Sequence, residues 1–195
     1  MRENHGRVLQ IVLAINALMF LIESWAGFHA RSTSLLADAL DMLGDAMVYG
    51  FSLFVIARSE RWKAGAALAK GSFMLIFGLG VMGEAFYKIL HPVMPNVETM
   101  GAIGGLALFA NLICFFLLYR HRDDNLNMNS TWLCSRNDLI ANIGVLLAAA
   151  SGYAATSRWP DMIAGAAIAS LFIRSALHVL QQSVRALRMT IETVR

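Results

Sequence analysis

The 195-residue chain is 57% hydrophobic and 15% charged, with a formal charge of +3, whereas soluble domains run to about 45–50% apolar and about 25% charged residues. That composition excludes an ordinary soluble domain, and the length admits about six membrane spans of about 20 residues with no room for a second folded domain. The basic excess does not indicate a nucleic-acid partner, because Lys and Arg are scattered through short loops and not gathered in one patch.

The first charge-poor stretch, Val8 to Phe28, is too long and too lightly charged at its start for a cleaved signal peptide and reads as a span. Asn16 and Glu23, seven residues apart, share a helical face that should look into the bundle. The second stretch, Ser34 to Ala57, contains SLLADALDMLGDAM. Asp38, Asp41 and Asp45 fall there at i, i+3 and i+7, along one helical face, with Asp41 and Asp45 a turn apart. A carboxylate in hydrocarbon costs about 2.5–3.5 kcal/mol on insertion scales, so each needs a partner, a proton or a function. Two so close together require that one keep its proton or that a cation lie between them, and both states suit a site that exchanges protons for a metal. Asp38 reads equally well as a cap or structural partner.

The third stretch, Ala64 to Leu90, carries Glu84, Lys70 and Lys88. The lysines can snorkel to an interface or pair with acids. A turn from His91 to Glu98, with Pro92 and Pro95, leads to the fourth stretch, Thr99 to Tyr119. Gly101 and Gly105 form a GxxxG motif there, read as helix packing within the bundle or between protomers. Asn111 reads as a helix-to-helix hydrogen-bonding group, and Cys114 as a small hydrophobe. Glu23 and Glu84 are read the same way as Asn111, or as part of a cation access path.

The fifth stretch, Asn129 to Thr156, sets Cys134 and Asp138 a turn apart, with Asn142 continuing that face. Two helices, each offering two ligands one turn apart, can close Asp41, Asp45, Cys134 and Asp138 around one ion, four being the number zinc prefers. Cys134 reads equally as a ligand or as a buried hydrophobe. Arg136 lies about 200 degrees around the helix from both and is expected to pair with another buried acid. The sixth stretch, Pro160 to Gln182, contains Arg174 and His178.

Ten basic residues, among them Arg7, Arg61, Lys63 and Arg185, fall on one side of these spans, and only Arg31 and Arg158 on the other. Basic residues stay cytoplasmic, so both termini are expected there. The expected organisation is an all-α six-transmembrane-helix bundle over 1–183, with a cytoplasmic tail over 184–195. No nucleophile with a positioned base, phosphate loop or HExxH helix appears, so no enzyme is expected, and no cofactor either.

Several stretches resemble the cation diffusion facilitators. SLLADALDMLGD is similar to that family's second-helix pattern of Leu-Leu-Ala-Asp-Ala, then His or Asp, three residues and Asp, which puts Asp41 and Asp45 in its two ligand positions. The run from Cys134 to Val145 resembles the family's His or Asp, three residues, Asp, then Gly-Val; Asp138 takes the second ligand place, and Cys134 stands where His or Asp is usual. Weaker agreements are Glu23 in IESWAG, Glu84 in GEAFYKIL, Asn111 in ANLICFFLLYR, and Asp161. The resemblance implies a proton-coupled exporter of divalent metal, working as a homodimer in the cell inner membrane. Zinc is the expected ion and cadmium the next, with Asp38, Asn142, Glu23 and Glu84 supporting the ligands. A thiolate favours soft ions, while three carboxylates pull towards harder ones such as iron, manganese or cobalt. Two departures stand out: SERWKAG lacks the family's His and Gly-rich loop, and the sequence ends about a dozen residues after the last span, where relatives usually continue into a cytoplasmic domain. The competing readings are a divalent-cation channel and a non-transporting assembly or sensor subunit whose acids pair with Arg136, Arg174 and Lys70.

Overall fold

A computed structural model describes residues 2–55, 60–121 and 126–192, without the side chains of 2–5, 51–61, 63, 126–131, 133–134 and 187–192. The Cys134 thiol and the basic side chains of Arg2, Arg58, Arg61, Lys63, Arg122, Arg188 and Arg195 therefore lie outside the described residues. Among the described residues there are six helices and no strand: α1 Arg2–Ala30, α2 Thr33–Val55, α3 Glu60–Leu90, α4 Val97–Tyr119, α5 Leu126–Ala155 and α6 Trp159–Glu192. Each covers one of the expected spans, except that α2 is described only as far as Val55 and α5 ends at Ala155, one residue before its expected limit. The largest difference is at the end of α6, which continues about ten residues past Gln182, because RALRMTIE offers no Gly or Pro to stop it.

Five of the helices are long and apolar enough to cross a membrane. The exception is α2, which at 23 residues has the length but carries three aspartates. The bundle is inside-out relative to a soluble protein: Trp25, Phe28, Phe86, Phe109, Ile140, Leu147 and Leu171 face outward, while Asn16, Glu23, Asp38, Asn111 and Asn142 are buried.

The helices alternate up and down. α3 packs most extensively on α6, α1 on α2, and α4 on α5, with further α2–α6, α1–α4 and α2–α3 contacts. One apolar cluster joins Leu35, Leu40, Met74, Val81, Val145, Ile168 and Phe172; another gathers Leu9, Val12, Tyr49, Cys114 and Leu118, the place a small hydrophobe at Cys114 would take. Two turns at the same end of the bundle finish helices with a left-handed residue, Arg31 at φ 52° and Thr156 at φ 48°. After each, a backbone N–H reaches five residues back, Ser32 to Gly27 at 2.9 Å and Ser157 to Gly152 at 3.2 Å, closing the helix end.

That end is tied by charge. Asp161, at the start of α6, accepts hydrogen bonds from the Ser32 hydroxyl at 2.7 Å, the Thr33 N–H at 2.9 Å, and the Ser34 N–H and hydroxyl at 3.0 and 2.7 Å. Lys88, near the end of α3, pairs with Glu84 at 2.7 Å and donates to the Arg31 carbonyl at 2.8 Å and the Thr33 hydroxyl at 2.9 Å. α6 comes so near here that a Cβ on Gly165 would lie 2.6 Å from the Thr33 carbonyl carbon. The GxxxG glycines make no such approach. Among the described residues a Cβ at Gly101 or Gly105 meets nothing within 4 Å, and α4 meets α5 through Gly104 instead, so the motif brings no close helix approach there.

Candidate metal site

Asp41, Asp45 and Asp138 line one cavity of about 1250 Å³ that runs along α6 from Ala164 to Gln181, between α2, α3, α5 and α6. Asp41 and Asp45 are half-buried on the α2 side and Asp138 is buried on α5, at 8% exposure. The one-turn spacing on α2 aims both its carboxyls at this wall. Asp45 and Asp138 come within hydrogen-bonding reach of each other across the helix pair, a contact that carboxyls make only with a proton or a cation between them. The Tyr49 hydroxyl donates to Asp45 Oδ2 at 2.6 Å. Tyr49 was missed in the sequence, although its i, i+4 spacing from Asp45 could have revealed it; Lys70 was read there as snorkelling to an interface or pairing with acids, and nothing local could show that it comes from α3 to the wall of this cavity.

Among the described residues no three His, Cys, Asp or Glu side chains are drawn tightly enough to hold one ion. The three aspartates share a cavity wall, and the helices would have to close for all of them to ligate together. The backbone of Cys134 lies one turn before Asp138 on α5.

Asp38 is placed one level away from the cavity, fully buried, where the Asn142 amide donates to both its oxygens at 2.8 and 2.6 Å. Asn111 orients that amide by donating to Asn142 Oδ1 at 3.0 Å. Glu23, also fully buried, comes within hydrogen-bonding reach of the Asp38 carboxyl, and no N–H or hydroxyl among the described residues donates to either of its oxygens. Asn16 lies on the same face, its amide on the Val12 carbonyl at 2.9 Å and near the Cys114 sulfur at 3.9 Å. Glu84, about 21 Å along α3 from Lys70, is not part of this group: its partner is Lys88. Arg136 does not pair with a buried acid either. It is exposed, with its guanidinium 5.9 Å from the Trp132 ring centroid, since its helical angle turns it away from the bundle interior. Arg174 and His178 are exposed on the α6 wall of the cavity, His178 against Gln182 at 2.8 Å.

Carboxylates on two helices at one depth of an apolar bundle are what a cation path needs, and the sequence profile of the cation efflux transmembrane domain matches residues 9–188. The chain belongs to the cation efflux family. It is a multi-pass integral membrane protein. Similar proteins of this family include a cadmium, cobalt and zinc/H(+)-K(+) antiporter of Bacillus velezensis, 29% identical over 200 residues, covering 94% of this chain and 63% of the relative. The zinc transporter ZitB of Escherichia coli is 28% identical over 198 residues, 95% of this chain and 63% of the relative. The metal cation efflux system protein CzcD of Cupriavidus metallidurans is 27% identical over 157 residues, 73% of this chain and 49% of the relative. The chain thus spans less than two thirds of the length of these relatives.

Proposed function

We propose that this chain exports a divalent cation, zinc first and cadmium next, in exchange for protons, with Asp41, Asp45 and Asp138 as ligands and Cys134 as the fourth. The observation that carries this reading is the meeting of three intramembrane carboxyls from α2 and α5 on one cavity, in a chain of the cation efflux family whose relatives are named as zinc and cadmium transporters. All six helices cross the bilayer in this reading, α2 included, since its aspartates face the cavity and not lipid. Both termini are cytoplasmic, residues 1–183 form the membrane domain and 184–195 a cytoplasmic extension, in an inner-membrane homodimer.

The cargo ion enters the cavity from the side where Arg174, His178 and Gln181 continue its wall and meets Asp45 and Asp138. It takes the place of the proton held between them, so ion and proton compete for the same oxygens. Rocking of the helices then opens the end tied by Asp161 and Lys88, and protonation from that side releases the ion. Asp38, fixed by Asn142, supports the ligand helix without meeting the ion.

Metal uptake into proteoliposomes under an imposed pH gradient tests this. The expected result is uptake that follows the gradient and is lost in Asp45→Ala. Uptake indifferent to both the gradient and the substitution overturns the reading, and flux down the metal gradient alone would make the protein a channel.

A further inference from the structure

A lysine faces the cation path. α2 and α3 are antiparallel neighbours; Asp45 lies ten residues before Val55 and Lys70 ten residues after Glu60, so both stand about 15 Å from the same end of the bundle. Lys70 is half-buried, lines the cavity with Asp41, Asp45 and Asp138, and has its ammonium close enough to act on the Asp45 carboxylate. The other charged or titratable groups facing this space are Arg174 and His178, both exposed on α6, and Asp41 and Asp138 on α2 and α5. A fixed positive charge beside a site for a divalent ion repels the cargo.

We propose that Lys70 is a tethered counter-cation: its ammonium holds Asp45 while the site contains no metal, and an arriving divalent ion displaces it. Lys70 moves as a charge on a flexible four-carbon stem. This inference rests on the reading of Asp45 as a ligand. It adds a physical link between binding and movement, because Lys70 belongs to α3, which packs chiefly on α6, whereas Asp45 belongs to α2. Displacing the ammonium cuts a charged tie between those two parts of the bundle. Selectivity follows as well: a monovalent ion cannot outcompete an ammonium already in place, whereas a divalent ion brings twice the charge to the same oxygens.

The test is calorimetric titration of the full chain in detergent with zinc and with cadmium at one fixed pH, on the parent, Lys70→Met, Lys70→Arg, Asp45→Asn and the Lys70→Met/Asp45→Asn pair. Lys70→Met is expected to bind metal on the order of tenfold more tightly, the scale of one removed charge repulsion. Lys70→Arg should bind within about threefold of the parent, and the gain from Lys70→Met should vanish in the Asp45→Asn background, which a merely structural lysine would not produce. As a second measurement, Lys70 in the unaltered protein is labelled with an amine-reactive ester and followed by mass spectrometry. Its labelling should rise several-fold when zinc is added. Parent-like or weaker binding in Lys70→Met, or labelling unchanged by zinc, overturns the inference and leaves the site intact. A parent that binds no divalent metal overturns the proposed function itself.

Discussion

Replacing Asp161 by alanine removes the one acceptor that holds the starts of α2 and α6 together. Four hydrogen bonds of 2.7–3.0 Å end on its two oxygens, two of them from the backbone N–H groups of Thr33 and Ser34 in the first turn of α2. Thr33, Ser34 and Asp161 are 0%, 0% and 2% exposed, so no solvent replaces the lost acceptor. A hydrogen bond to a charged group contributes about 1.5–3 kcal/mol, and each buried donor left unpaired costs about 1–3 kcal/mol. These bonds share one carboxylate and do not add, so a total near 4 kcal/mol is expected. For a chain of this size about 1 kcal/mol moves Tm by about 2–4 °C, and Asp161→Ala should therefore melt roughly 8–16 °C below the parent in a mild detergent. Ser34→Ala removes a single hydroxyl and should lower Tm by about 2–4 °C. Asp161→Asn should fall between the two, because its amide nitrogen cannot accept from the Thr33 N–H. A melting temperature for Asp161→Ala within about 2 °C of the parent would refute the role assigned to this junction.

Asn142→Leu should destabilise the protein by about 3–5 kcal/mol in chemical denaturation, since it strips a fully buried carboxyl of the amide that donates to both its oxygens; an Asp38→Asn/Asn142→Leu pair should recover part of that loss. Thr156→Gly should raise Tm slightly, relieving about 1 kcal/mol of left-handed strain on a β-branched residue, and an unchanged or lower Tm would argue against strain there. Gly165→Ala should cost about 2 kcal/mol or more, because its methyl would lie 2.6 Å from backbone, while Gly105→Ala, with nothing within 4 Å, should be neutral or stabilising in the detergent-solubilised monomer.

The sequence was most legible where one helix speaks for itself. Five of the six helices contain enough apolar residues to be seen as spans without their neighbours, and in α2, which carries three aspartates, the spacing of Asp41 and Asp45 along one face follows from helical period alone. Legibility failed wherever a residue's role is decided by another helix. Lys70 and Lys88 look alike in sequence, yet one faces Asp45 and the other is locked to Glu84, Arg31 and Thr33, which depends on depth along α3. Among the glycines of the described residues, Gly165 carries the closest approach without belonging to any motif, and a Cβ on either of the GxxxG glycines, which do belong to one, would meet nothing within 4 Å. Spacing reports which residues share a face, but the partner of that face is set by the packing of six helices.

The polar contacts sort by which helices they join. Asn111 to Asn142 and Asn142 to Asp38 lie within the group α1, α2, α4 and α5, and are made through amides. The contacts from α3 or α6 to that group start instead from full charges: Asp161 to Ser32, Thr33 and Ser34, Lys88 to Arg31 and Thr33, and Lys70 near Asp45. An amide pair buried on both sides has no alternative partner, so breaking it leaves unsatisfied groups in an apolar interior. A charged group at the bundle end or on a cavity wall can exchange its partner for water, a proton or another ion. If the two groups of helices rock against each other as proposed, the contacts that must break are the ones with somewhere else to go, and those that must last are the ones without. Away from the cavity the difference lies in residue choice, the amides of Asn111 and Asn142 within one group of helices and the charges of Asp161 and Lys88 between the two; inside the first group carboxyls meet where Asp45 faces Asp138 on the cavity and where Glu23 faces Asp38.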